Sequence, residues 1–309
     1  MSEAALAQCG GLGIAQVERD TGLSKDQLRM WERRYGFPQP GRDAFGERAY
    51  APEQVEKLRL IRRLMDAGLR PGKLIHAALP ELARQAELSR ARPAVAAPPL
   101  GAELRGYLEL LTGHGVEELR RALNQALLRH GLARFVMETV QPLTGAVGEA
   151  WARGEIEVFQ EHLYAESMQV VLRGAIAALA REAGAPRVLL TTLPGEGHGL
   201  DLLMAEALFA LEGAYCISLG VRTPQRDIAL AVRAQRIEVV ALSFSASCPA
   251  APLAGDLADL RRRLPGGLEI WVGGGVPRLA SRAPAGVRVL EGLQAIAPAV
   301  ARWRERAVT

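Results

Sequence analysis

Along the chain the spacing of apolar residues changes from helical to strand-like. In the first part, Ile14 and Val17 stand at helical spacing and Thr21-Gly22-Leu23 interrupts them. Ser24 suits the cap of a helix over Lys25–Tyr35, because its hydroxyl can accept a free backbone N–H. Leu28 and Trp31 give that helix a buried side, while Lys25, Gln27, Arg29, Arg33 and Arg34 occupy other faces. Gly36 ends it, and Pro38 and Pro40 bar its continuation. Gly41 and Gly46 suit a short hairpin, or wing, running to Tyr50. Pro52 opens another helix with a stripe of Val55, Leu58, Ile61, Leu64 and Met65. Pro71 opens a short one ending near Leu79-Pro80, and residues 1–12 read as a loose tail.

Residues 89–101 (SRARPAVAAPPLG) are rich in Pro and Ala and read as a linker. Residues 102–182 are helical in pattern, with breaks at Thr112–Gly115, Gly131 and Arg153-Gly154, which predicts a four-helix bundle. After Ala183-Gly184 come short apolar runs at 187–192, 214–219, 238–243, 268–272 and 287–290. They alternate with helical stretches near 200–212, 225–235, 252–264, 277–283 and 293–306. Such alternation predicts an α/β doubly wound, parallel five-stranded sheet of flavodoxin-like type. The expected organisation is therefore multidomain: an all-α winged helix-turn-helix over 1–88, the linker, a helical cap over 102–184, and a Rossmann-like domain over 185–309.

Composition adds little until charge is placed. About half the residues are apolar, enough for each domain to bury a core, and the net charge of +4 neither requires nor excludes nucleic acid. Cys9, Cys216 and Cys248 are scattered and form no disulfide framework or CxxC pair; Cys216, in an apolar run, reads as a small core residue. The start lacks a basic segment followed by an apolar core, and no apolar stretch approaches the ~20 residues of a membrane span. The expectation is a cytoplasmic protein that does not enter a membrane.

A helix, a Gly-containing turn and a second helix with exposed cations form a helix-turn-helix pattern, in which one helix must fit the major groove. The strings LRMWERRYGFPQP and GERAY resemble the N-terminal domain of MerR-family regulators, and the resemblance covers residues 13–75. It implies binding to double-stranded operator DNA, usually as a dimer. It assigns DNA contact to Lys25, Arg29, Arg33 and Arg34 on the reading helix and to Arg42, Arg48 and Tyr50 in the wing, with Trp31 in the core. No long heptad helix follows, so assembly into a dimer or tetramer falls to the later domains.

In a doubly wound sheet, ligands sit beyond the carboxyl ends of the strands. The first run leads there into Leu193-Pro194-Gly195-Glu196-Gly197-His198-Gly199. Glu196 can accept a hydrogen bond from one nitrogen of His198, freeing the other for a metal. Glu196, His198 and Asp201 are followed by 41 residues, then Ser243-Phe244-Ser245, then 27 residues and Gly273-Gly274. This register resembles the cobalamin-binding fold of methionine synthase and mutases. By that resemblance His198 is the lower axial cobalt ligand, and Ser243, Gly273 and Gly274 line the slot for the nucleotide tail, with Ser245 beside them as a further candidate. Trp151, followed after nine residues by Glu161-His162, resembles the upper-face motif of light-sensing cobalamin regulators of the CarH and LitR type.

Two departures from that pattern matter, while Glu196 in place of aspartate and Ser245 in place of leucine are smaller ones. Asp201 stands where the family has glycine, on the path of the tail. Ala152 follows Trp151 where photoreceptors often carry a histidine, so no cobalt donor is present there. The expected function is a tetrapyrrole-controlled transcription regulator, with adenosylcobalamin as cofactor and light as signal. A bilin such as biliverdin, with Cys248 as the candidate thiol, or haem, held with help from Arg222 and Arg226, remains the alternative ligand. A ligand-free constitutive repressor is the rival function. A cobalamin-dependent methyltransferase or mutase subunit needs a separate substrate domain, and a DNA reader occupies that place, so an enzyme is not expected.

Overall fold

A computed structural model describes residues 11–66, 69, 71–91, 101–179, 184–245, 248, 250–275 and 279–307. The chain divides into two compact units, Met1–Gly101 with Ala146–Glu161 and Ala102–Gly145 with His162–Thr309. The first contains β1 (Leu12–Gly13), α1 (Ile14–Thr21), α2 (Lys25–Tyr35), β2 (Gly41–Arg42), β3 (Arg48–Tyr50), α3 (Pro52–Asp66), α4 (Pro71–Leu74) and α5 (Leu79–Ala91). Ser24 caps α2 by accepting the Gln27 N–H at 3.2 Å. Gly22 and Gly36, with φ of 68° and 65°, close α1 and α2 in the left-handed conformation. Val17, Leu28, Trp31, Leu58 and Ile61 share one core.

Three expectations change in this unit. The tail is not wholly loose: Leu12 pairs antiparallel with Tyr50 in a small sheet of order β1-β3-β2, so the unit is not purely helical. Residues 1–10, with Cys9, lie outside the described residues. The helix opened by Pro71, expected to end near Leu79-Pro80, already ends at Leu74, and α5 begins at Leu79 and packs Leu82 and Ala86 on the same core. A proline in a first helical turn lacks only an N–H that would find no helical partner, so Pro80 is accommodated in the first turn of α5. Most of the expected linker, 92–100, lies outside the described residues.

The next helices are α6 (Ala102–Thr112) and α7 (Val116–Arg134), a π-helical turn at Phe135–Val140, α8 (Gln141–Arg153) and α9 (Val158–Ala177). Gly131, at φ 75°, breaks the backbone inside α7 where the sequence placed a break. The sheet follows, with β4 (Arg187–Thr191), α10 (Leu200–Leu211), β5 (Tyr215–Gly220), α11 (Gln225–Ala234), β6 (Val239–Phe244), α12 (Ala250–Arg263), β7 (Glu269–Gly274), β8 (Val287–Val289) and α13 (Ile296–Ala307). All five strands are parallel, in the order β5-β4-β6-β7-β8. The expected helix at 277–283 does not form over its described part. Leu279–Arg282 makes a single turn, closed by the Arg282 N–H on the Leu279 carbonyl at 2.9 Å, because Pro284 and Gly286 leave no length for more before β8.

Alternate strand residues serve opposite faces. Leu189, Val240, Leu242, Ile270 and Val272 join Ile228 of α11 and Leu257 of α12. Val188, Leu190, Val239, Ala241 and Trp271 join Phe209 of α10 and Val300 of α13. The strand order reverses direction between β4 and β6, which opens a crevice at their carboxyl ends.

Candidate functional site

Within the first unit, α2 and the hairpin β2–β3 carry the expected DNA-facing cations. Arg29, Arg33, Arg34 and Arg42 are exposed. Lys25 lies 3.8 Å from Glu18 of α1 and is half-exposed. Arg48 is engaged inside the unit: its Nε donates to Glu32 Oε2 at 2.9 Å, tying the wing to α2. Tyr50 requires a correction. Expected at the DNA surface, its side chain is fully buried in the core, since β3 turns that residue inward against Leu28, Trp31 and Leu58. Its hydroxyl has no hydrogen-bond partner.

In the second unit, the loop after β4 places Glu196 and His198. The Glu196 carboxylate is buried, 6% exposed, while the His198 side chain is 50% exposed. Glu196 Oε1 accepts from the His198 backbone N–H at 3.0 Å and lies 2.5 Å from its Nδ1. Glu196 Oε2 accepts from the Ser245 N–H and hydroxyl, both at 2.8 Å. Burial pushes this carboxyl upward, but the His198 hydrogen bond and charge and the two backbone N–H groups outweigh it and hold it down at about 2. With Nδ1 against Glu196, the ring's other nitrogen, Nε2, is the one on the side away from that carboxylate. Thr192 supports the loop by donating to the Glu196 carbonyl at 2.7 Å and accepting the Arg222 N–H at 2.8 Å.

Behind this loop, on the α10 and α13 side of the sheet, lies a cavity of about 450 Å³. Alternation explains it. Trp271 fills its inner end, stacked on Phe209 with centroids 5.8 Å apart. Two residues further along β7, toward its carboxyl end, Trp271 gives way to Gly273, and on β6 the same face carries only the small Ala241 and Ser243, so the face opens. Asp201, Leu202 and Met204 of α10 form one wall, and Gln141 and Thr144 of α8 reach the rim. A Cβ at Gly273 meets nothing within 4 Å, whereas one at Gly274, φ 112°, stands 1.9 Å from the Phe244 carbonyl oxygen. Gly273 thus keeps space open, and Gly274 satisfies the backbone. Burial raises the Asp201 carboxyl, partly opposed by His198.

The structure brings Asp201, Ser243, Gly273 and Gly274 to one cavity and joins Glu196, His198 and Ser245 by hydrogen bonds. Trp151 is half-buried near the end of α8, Glu161 lies in the first turn of α9, and His162 follows it, exposed. Trp151 and Glu161 belong to the first unit and His162 to the second. Cys248 packs half-buried against the sheet core, and burial followed by the charges of Glu196 and Asp256 pushes its thiol up to about 11. Cys216 is likewise half-buried. The sequence reading missed Trp271, Phe209, Gln141 and Thr144; the step from Trp271 to Gly273 in β7 was the available signal for the first of them. Among the described residues, no helix is long and apolar enough to cross a membrane, and no group of three or more His, Cys, Asp or Glu gathers as a metal site.

The model of the MerR HTH family regulatory proteins matches residues 12–78, and that of the B12 binding domain matches residues 103–173. The HTH-type transcriptional repressor CarH of Myxococcus xanthus is 32% identical over 263 residues, 83% of this chain and 86% of that protein. The repressor CarA of the same organism is 30% identical over 235 residues, 75% of this chain and 76% of that one. Among solved structures, the monomethylamine corrinoid protein of Methanosarcina barkeri aligns with a TM-score of 0.51 at 17% identity, covering 64% of this chain and 96% of that one. That likeness bears on the fold alone. With a winged reader at one end, a doubly wound sheet at the other, and these relatives matched over most of their length, the chain belongs to the CarH and CarA family of MerR-type, DNA-binding transcriptional regulators.

Proposed function

We propose that this regulator is a non-enzymatic repressor whose hold on operator DNA is set by a cobalamin in its C-terminal domain. One observation carries the reading: a half-exposed imidazole, oriented by a buried carboxylate, stands on the loop that runs into α10, whose Asp201 lines a cavity bordered by Gly273. His198 Nε2 would take the cobalt from below. Ser243, Gly273 and the apolar walls fit a flat ring system on the nucleotide tail, and the cavity volume is within the usual range for small-molecule sites. When bound, such a cofactor supplies a cobalt centre with an exchangeable upper ligand, adenosyl in this proposal.

Glu196 contributes orientation and charge. It keeps Nδ1 engaged, and through Ser245 it ties the β4 loop to the β6 loop. Trp151, Glu161 and His162 are proposed to cover the upper face, with the helical cap over 102–184 and the sheet domain over 185–309 as functional parts. Light is proposed as the signal, and a dimer or tetramer as the DNA-bound form. Ala152 has no donor atom, so the changed state does not use a second protein ligand from that position. Coupling requires that the ligand bind the two assemblies with different affinity.

A second reading, the same scaffold with haem or a bilin, is favoured by Asp201, whose carboxyl lines the slot in place of hydrogen. Attachment of a bilin through Cys248 is disfavoured by the half-buried, protonated thiol. The test is the visible spectrum and mass of the pigment held by the whole protein, repeated for His198→Ala, with DNA affinity measured in the dark and after illumination. A corrinoid spectrum that His198→Ala shifts or abolishes supports the proposal. A haem or bilin spectrum moves the assignment, and equal DNA affinity in both conditions removes the light signal.

A further inference from the structure

The wing ends in a feature that the assigned cations do not account for. β2 and β3 pair antiparallel, Gly41 with Ala49 and Arg42 with Arg48, and Asp43 to Glu47 form the tip. That tip is tightly built. The Asp43 N–H donates to the Glu47 carbonyl at 2.9 Å, and the Gly46 N–H donates to the Asp43 carbonyl at 3.0 Å. Asp43 Oδ1 accepts the N–H groups of both Phe45 and Glu47 at 2.9 Å. Arg42 closes the turn from the side by donating to the Gly46 carbonyl at 2.8 Å. Gly46 takes φ 79°, a conformation other side chains rarely adopt.

Phe45 sits at the crown of this turn with 91% of its surface exposed, the most exposed large apolar residue among those described. A lone surface apolar residue ordinarily needs no explanation. Here the turn is hydrogen-bonded on both sides of the ring, which holds the backbone beneath it in one geometry. The Asp43 carboxylate is engaged by two backbone N–H groups, and exposed Arg42 flanks the tip with positive charge. The hairpin is also tied to the reading helix through Arg48 and Glu32.

We propose that Phe45 is an apolar wedge that enters the minor groove of bound DNA beside the major-groove site of α2, opening a base step and bending the duplex. The chemistry suits it. The minor groove is about 6 Å wide, which admits a ring edge-on, and apolar side chains between base steps are a recurrent means of kinking DNA. The exposed Arg42 guanidinium supplies attraction to a phosphate beside such a wedge. The inference rests on the DNA-binding reading of the first unit.

The test uses the full chain and a duplex that it selects from a randomised pool. Affinity is read by fluorescence anisotropy across a salt series, and bending by energy transfer between dyes at the duplex ends. Phe45→Ala is expected to weaken binding about 5- to 50-fold and to reduce the bend. Its salt slope should change by less than one, because no phosphate contact is removed. Phe45→Arg should steepen the slope by about one without restoring the bend, and Arg42→Ala should make it shallower by about one. Since the ring contributes nothing to the core, the melting temperature of Phe45→Ala should equal that of the unsubstituted protein. Unchanged affinity and bend in Phe45→Ala overturn the wedge, as does a change in oligomeric state with the bend intact. Failure of the unsubstituted chain to select any duplex overturns the DNA-binding reading itself, and the wedge with it.

Discussion

Glu196 holds His198 at two points, through its backbone N–H at 3.0 Å and its ring Nδ1 at 2.5 Å, and does so from a buried position. The same carboxylate holds Ser245 with its other oxygen. One side chain therefore sets both the direction of the imidazole and the distance between two loops that are 49 residues apart in the chain.

Acid should release this clamp. The Glu196 carboxyl lies at about 2 in the folded chain against an ordinary value of 4.5, so the folded state binds its proton less readily than the unfolded state. Its stabilisation is complete above about pH 4.5 and is lost as pH falls toward 2. Glu196→Gln should cost about 1–3 kcal/mol near neutrality and flatten that part of the acid limb. Denaturant melts from pH 7 to 2 check this; parallel curves for the two proteins would show that the carboxylate has no such role.

The adjacent glycines of β7 should behave differently. Gly273→Ala places its methyl in open space and should leave the melting temperature nearly unchanged, while narrowing the cavity and weakening cobalamin uptake in a spectrophotometric titration. Gly274→Ala forces a Cβ against the Phe244 carbonyl oxygen at φ 112° and should destabilise by roughly 2 kcal/mol or more through strain and clash. A stability loss in Gly273→Ala as large as that in Gly274→Ala would refute the separation.

Tyr50→Phe removes a buried hydroxyl that has no partner. It should raise the stability of the winged unit by about 1 kcal/mol, read from a thermal or denaturant melt. DNA affinity should be the same as that of the unsubstituted chain, because the residue does not reach the surface. A marked fall in affinity at unchanged stability would return Tyr50 to the DNA interface.

Cys248 should react slowly with iodoacetamide at pH 8. Its thiol is raised to about 11 from an ordinary 9.0, so the thiolate is scarce until strongly alkaline solution. Between pH 9 and 11 the unfolded chain loses this proton before the folded one, so stability should fall over that interval. Mass-resolved alkylation across pH, with Cys9 and Cys216 read as separate peptides, checks the reactivity. Rapid labelling of Cys248 at neutral pH would reopen covalent attachment at that thiol.

Much of the fold was legible because its signals are local. The α2 boundaries follow from Ser24 and Gly36, whose roles depend on backbone within a few residues. The five strands and their parallel order follow from short apolar runs separated by helices, since a crossover between parallel strands admits few paths. Of the residues spaced from Glu196 to Gly274, Asp201, Ser243, Gly273 and Gly274 line one cavity at the carboxyl end of the sheet. By itself, the sequence determined the element types and the family pattern. Tertiary structure decided which side of each element is inside. It buried Tyr50 by pairing β3 with β1, engaged Arg48 with Glu32, and extended the chain past Pro80 into α5. It also made a cavity where Trp271 is followed, two residues on, by Gly273 beneath α10. The physical reason is that burial and enclosed space depend on which surfaces from distant segments meet, whereas caps, turns and apolar periods depend on neighbours along the chain.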